Sequence, residues 1–312
     1  MDLRFRFRVA VILSAALLSP AGHAQLFRAY LAVDGLDTNP CTLQLPCRLL
    51  PAALAAVASG GEIWMLDSAN YNASSVTVAK SVTILAVPGV VGSLVAHGGP
   101  ALLISGDSHK VTVRNLVVVP LTGGTGTHGI HMTGLTLLRI ENGVFANFGA
   151  TYHAVLVTGG GDLAVTGSLF RDIGGSGVHV ENGSYASVSR STFTAVNLGV
   201  RARGAQSISH TRLVVSDSTF SSGQYGVEVD NTLADSTAKA FVTRCTFDGN
   251  TYPLYAFANV GVSELSFSYS MVVNNFHSHS QIGAASAIHS MGNNHVLGNT
   301  SFQGSVTPMP GS

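Results

Sequence analysis

A short phrase ending in an aromatic or branched residue returns seven times along this chain. It reads Asn-Leu-Val at 115–117, Gly-Val-Phe at 143–145, Ser-Leu-Phe at 168–170, Ser-Thr-Phe at 191–193 and 218–220, Cys-Thr-Phe at 245–247 and Ser-Met-Val at 270–272. Its last residues, Val117, Phe145, Phe170, Phe193, Phe220, Phe247 and Val272, are separated by steps of 28, 25, 23, 27, 27 and 25. A period in the twenties, with short alternating strands and polar turns in every repeat, predicts a solenoid in which each repeat is one coil.

A second strand recurs in each coil: HGIHMT, HAVLVT, SGVHVE, LGVRAR, YGVEVD, YPLYAF and SAIHSM, starting at 128, 153, 176, 198, 225, 252 and 286. Side chains alternate along a strand, so Ile130, Val155, Val178, Val200, Val227, Leu254 and Ile288 face one way and form a core. The positions between them form outward ladders, because parallel strands stack about 4.8 Å apart. The first is His131, Leu156, His179, Arg201, Glu228, Tyr255 and His289; the second is Thr133, Thr158, Glu181, Arg203, Asp230, Phe257 and Met291.

Residues 1–24 read as a secretory signal peptide: Arg4, Arg6 and Arg8 precede an apolar run from Val9 to Leu18, then Pro20 and small residues ending at Ala24. The run is far short of the roughly 20 residues that cross a bilayer, so a secreted or periplasmic protein with no transmembrane segment is expected. Export permits a disulfide, and Cys41 and Cys47 are placed to clip a short loop within an N-terminal segment, 25–46. Cys245 is left as a small core residue. Residues 47–59 carry apolar residues at helical spacing before Gly60 and Gly61 and predict one short helix capping the first coil. The solenoid is expected over 47–300, followed by a polar tail, 301–312, that caps it.

Charge narrows the partners. Lys+Arg and Asp+Glu both number 16 in 312 residues, so no net field draws the chain to nucleic acid or to an anionic membrane. Aromatics make up only 7%, too few for the girdles of an outer-membrane barrel.

The repeat GVHVENGSYASVSRSTF, the helix before the first coil and the final turn SMGNNHVLGN resemble the right-handed parallel β-helix of the pectin lyase-like superfamily. The N-terminal TNPCTLQLPCRLL is similar to that of secreted bacterial β-helix proteins of undetermined role. The resemblance implies an all-β solenoid; for function it implies much less.

In polysaccharide-degrading members of that superfamily an acidic glycan lies across the strands and meets basic residues. GVRAR at 199–203 resembles the G-I-R-I-K strand of polygalacturonases, which places Arg201 and Arg203 at its two basic positions. THGIHM at 127–132 resembles their H-G-I-S strand, with His128 at the histidine. Departures are as informative: the N-T-D and D-D motifs of polygalacturonases, the clustered aspartates of calcium-dependent pectate lyases and the D-P-H of alginate epimerases do not occur.

Within this chain His179, Glu181, Arg201, Arg203, Glu228 and Asp230 concentrate six ionisable residues on three successive strands, with Tyr255 and Phe257 on the next and His131 upstream. The expectation is a binding face for an acidic polysaccharide, with Glu181, Glu228, Asp230, Phe257 and His131 as contacts. Two alternatives stand beside it. A metal-free uronate lyase would use Arg203 on the carboxylate, His179 or Arg201 as base and Tyr255 as proton donor. A structural or adhesive protein would stack its coils on other chains, and the plain reading of the alternating charges is cross-strand pairing, each pair contributing about 0.2–1 kcal/mol. A monomer without cofactor is expected. His128 and His153 share a turn position but make a weak metal pair; His277 and His279 read as a polar loop; Asp34, Asp37 and Asn39 read as turn chemistry.

Overall fold

The computed structural model describes residues 25–309; the expected signal peptide lies outside them. The chain is an all-β right-handed parallel β-helix. One sheet of twelve strands takes a strand from each turn, from Leu26–Leu31 through Val57–Met65, Leu137–Glu141 and Thr237–Thr243 to Val306–Pro308. The other, of eighteen strands, consists of two ladders side by side. One passes through Val144–Ala146, Thr219–Ser221, Thr246–Asp248 and Met271–Val273. The other, which carries the charged residues, passes through Ile130–Met132, Val155–Val157, Tyr225–Asn231 and Tyr252–Ala258. Leu169–Glu181 and Thr192–Gly204 are long enough to belong to both. All these pairings are parallel, as winding in one sense demands.

Each coil turns sharply just before the repeated triplet. Asn142, Gly167, Arg190, Asp217, Arg244 and Tyr269 occupy this corner with φ between 48° and 61°. The left-handed conformation favours Gly, Asn and Asp, so the arginines and Tyr269 show the coil imposing its geometry on the residue.

The interior is organised in columns. Phe145, Phe170, Phe193, Phe220 and Phe247 stack nearly parallel, with ring centroids 4.6–5.1 Å apart. Beside them Ser168, Ser191, Ser218 and Ser270 each accept a backbone N–H from the coil before and donate to a carbonyl two residues back in their own. Cys245 takes a place in this column, buried, its thiol pushed up to about 11 by burial, so it is no nucleophile. Asn250, Asn275 and Asn299 form a third column of amide-to-amide and amide-to-backbone bonds.

Several expectations need correction. The helix spans only Leu50–Ala56; Val57 is already extended, and Gly60 and Gly61 lie in a strand that pairs with Leu26–Leu31. Pairing in the first coil takes residues that helical spacing alone would claim. The phenylalanine column begins at Val118, because Phe145 pairs with Val118 and Val144 with Val117. The sheets run past 47 and past 300: Leu26–Leu31 is the first strand, and the tail adds Ser301–Gln303 and Val306–Pro308 as further rungs. The disulfide Cys41–Cys47 is present. Asp37 accepts the N–H groups of Arg48 and Leu49 at 2.9 and 2.7 Å, and Asn39 donates to the Pro46 carbonyl, which is turn chemistry.

Candidate functional site

The ladder register follows from the alternation of small or apolar residues with polar ones. Leu156 pairs with His179, His179 with Arg201, Arg201 with Glu228 and Glu228 with Tyr255; Glu181 pairs with Arg203, Arg203 with Asp230 and Asp230 with Phe257. His131 precedes Leu156 and its Nε2 lies 3.1 Å from the Thr158 hydroxyl. The five expected contacts and the four residues of the lyase alternative therefore belong to one face. Past Tyr255 the expected order fails. Ser280 follows Tyr255 and Ile282 follows Phe257, on the strand His277–Ile282. His289 lies on the twelve-stranded sheet opposite Ser266, and Met291 follows that strand. The stretch read as a polar loop around His277 and His279 is thus a rung.

This face is less open than an outward ladder implies. His179, Glu228 and Asp230 are only 5, 6 and 5% exposed, and they compensate one another. Arg201 bonds to Asp230 and approaches Glu228 at 3.3 Å, while Arg203 lies 3.6 Å from Asp230 and is more exposed. Burial works against the charge of Arg201, but Glu228 and Asp230 outweigh it and hold the guanidinium above its ordinary value. Burial pushes Glu228 up to about 7 against the pull of Arg201, and it likewise raises Glu181. Tyr255 is pushed up to about 12 by burial and by its neighbours Tyr225 and Glu228, so its hydroxyl remains a proton donor.

A second column flanks the ladder, made by the first letters of the repeated strands. His128 and His153 stack at 5.3 Å, and Tyr225, Tyr252 and His277 stack at 5.0 and 4.8 Å. Tyr255 meets Tyr225 and Tyr252 edge to face. The signal for this column was in HGIHMT and HAVLVT, and in YGVEVD and YPLYAF, whose opening rings align.

Backbone bonds fix the protons of the histidines. The N–H of His153 donates to Nδ1 of His128, and the N–H of Ser176 donates to Nδ1 of His153, both at 3.0 Å. Burial lowers both imidazoles to about 4, so at neutral pH they are uncharged. An uncharged ring with Nδ1 accepting carries its proton on Nε2. His153 then donates from Nε2 to Nδ1 of His179, 3.4 Å away, and His179 in turn carries its proton on Nε2, 3.6 Å from Glu181 and without a hydrogen-bond partner. His179 is therefore a donor toward the ladder, not a base, and Arg201 between two carboxyl groups is held protonated. The same bonds occupy the lone pairs with which His128 and His153 would share a metal. Among the described residues no group of three or more His, Cys, Asp or Glu is arranged to hold one.

Comparison with known proteins adds the fold context. The family model described as "Right handed beta helix region" matches residues 100–301. No curated protein matches the chain. Among solved structures, a mutant of the PL6-family alginate lyase AlyGC is 15% identical with a TM-score of 0.58, over 88% of this chain and 39% of its own. The pectate lyase Pel9A is 13% identical with a TM-score of 0.50, over 90% and 80%. An endo-xylogalacturonan hydrolase from Aspergillus tubingensis is 10% identical with a TM-score of 0.47, over 90% and 93%. The chain spans about two fifths of the length of that alginate lyase. At these identities the likeness establishes the fold alone.

Proposed function

The chain belongs to the right-handed β-helix family, and on that premise we propose that its ladder from His131 to Phe257 binds an acidic polysaccharide. One observation carries the reading. Arg203, beside Arg201 and one rung from His179, keeps 37% of its side chain exposed and only approaches Asp230 at 3.6 Å, which leaves its guanidinium hydrogen-bonding capacity for a ligand. Hydroxyl and carboxylate oxygens of a glycan are the matching acceptors. Tyr255 and Phe257 extend the donors with ring surface of the kind that packs on sugar faces. Alginate and pectate, in the names of the two lyases above, are polymers of this charge class. We place the protein outside the cytoplasm, as a monomer in the periplasm or secreted, in keeping with the Cys41–Cys47 disulfide. Among the described residues no helix is long and apolar enough to cross a membrane.

The test is a glycan array including oligogalacturonate, alginate and glycosaminoglycan fragments, with products monitored in parallel. Binding without turnover, reduced at least tenfold in the double variant Arg203→Ala with Tyr255→Ala, is the expected result. Unsaturated uronide products lost in Arg203→Ala would replace this reading with a lyase. Absence of binding, with the variant merely less stable, would leave a structural ladder of ion pairs.

A further inference from the structure

Three carboxyl groups, Glu181 on one rung and Glu228 and Asp230 on another, flank a rung with only two guanidiniums, and the histidines beside them carry no charge. Two of the carboxyl groups converge on Arg201, while Arg203 approaches Asp230 alone. Glu181 touches no guanidinium but keeps more of its side chain in water. Among the deeply buried carboxyl groups Glu228, with its single contact to Arg201, is thus the one whose charge is least matched. It faces Arg201 and Arg203 from the preceding rung, Tyr225 and Asp230 from its own strand, and Tyr255 from the next. Farther along, His153 and His179 lie on the other side of Arg201. None of these except the two arginines offers a positive charge. A ligand carboxylate arriving at Arg201 would compete with Glu228 for the same guanidinium.

We propose that Glu228 is a proton-operated latch on Arg201: ionised, it holds the guanidinium together with Asp230, and on taking a proton it frees that edge for a carboxylate of the ligand. The inference rests on the reading of this face as a glycan-binding surface and adds its regulation. Burial, joined by the negative charge of Asp230, favours the protonated form against the pull of the two arginines, in keeping with the rise of Glu228 to about 7. A polyuronate would then exchange into the ion-pair network one for one, with no excess negative charge left behind. The histidines do not share in the switch near neutrality, because burial keeps them uncharged until far lower pH.

Binding of oligogalacturonate and alginate fragments, measured by calorimetry between pH 5.5 and 8.5, tests this. Wild-type affinity should be constant in the acid half and fall about tenfold per pH unit above neutrality, the slope of one linked proton. Glu228→Gln, of the same shape but permanently uncharged, should lose the slope, with one affinity from pH 5.5 to 8.5. Wild-type binding of equal affinity at pH 5.5 and 8.5, or an unchanged slope in Glu228→Gln, overturns the latch and leaves the glycan reading standing. If neither protein binds a glycan at any pH, the glycan reading fails and takes the ligand half of the latch with it. The proton half has its own readout, the infrared carbonyl band of a buried protonated carboxyl. That band should titrate near neutrality in the wild type and vanish in Glu228→Gln; its absence from the wild type overturns the latch. A thermal melt confirms that the variant is folded.

Discussion

His153 and His179 meet through one hydrogen bond, from Nε2 of the first to Nδ1 of the second at 3.4 Å. Because the Ser176 N–H holds the other nitrogen of His153, the backbone decides which nitrogen of His179 carries hydrogen. Nitrogen NMR at neutral pH should find His128, His153 and His179 all protonated at Nε2. In His153→Asn, whose side-chain oxygen still accepts from Ser176, His179 should lose this preference and show exchange between tautomers.

Stability should pass through a maximum near pH 6 to 7. Unfolded, His128 and His153 take protons near their ordinary value, but folded they resist until about 4, so stability is lost as pH falls through that window. Glu228 has the opposite sign. Folded, it keeps its proton up to about 7, while the unfolded chain releases it near 4.5, so stability declines as pH rises between those values. Melting temperatures across pH should show both limbs, with Glu228→Gln raising the alkaline one only.

The two arginines should separate. Arg201→Ala strips the buried Glu228 of its guanidinium and leaves Asp230 only the looser contact with Arg203, and should cost about 3–5 kcal/mol of stability. Arg203, more exposed and 3.6 Å from its carboxylate, should cost less than about 1 kcal/mol. Denaturant unfolding of both variants, set beside glycan affinity, distinguishes support of the ladder from contact with ligand.

Phe193 is enclosed between Phe170 and Phe220, with centroids 4.6 and 4.8 Å away. Phe193→Ala should lower unfolding free energy by about 3–5 kcal/mol. A loss below 1 kcal/mol by chemical denaturation would mean that the coils close around the gap.

Asn275 gives its amide to the Phe247 and Val273 carbonyls and to Asn299, and accepts from Asn250. Asn275→Leu fills the space but leaves those buried groups unpaired, a loss of about 2–4 kcal/mol. Amide exchange should quicken at Asn250, the residue whose N–H loses its acceptor.

Much of this was legible in the chain because a coil repeats both its pattern and its length. The placement of Arg203 between Glu181 and Asp230 follows from counting along strands whose inward residues are Val, Ala or Leu. The counting failed where that code lapses. In the strand His277–Ile282 the buried positions are His277 and Ser280, so nothing apolar marked it, while SAIHSM imitates the code from the opposite sheet. Burial of Glu228 and Asp230 was not legible either, since a strand pattern tells which way a side chain points and not what its neighbours cover. The imidazole chain depends on backbone N–H groups of residues 153 and 176, which carry no letter of their own.

The phenylalanine column works as a ruler. Phe170 to Phe193 takes 23 residues and Phe193 to Phe220 takes 27, yet the rings advance by 4.6 and 4.8 Å. The additional residues go sideways, into the turn between Arg203 and Arg212, which is longer than the turn between Glu181 and Tyr185 at the same place one coil earlier. Ile208, at its left-handed bend, is 77% exposed. Insertions at this edge raise a wall beside the ladder while leaving rise, stacking and register untouched, so the girth of the molecule is free to diverge where its length is not.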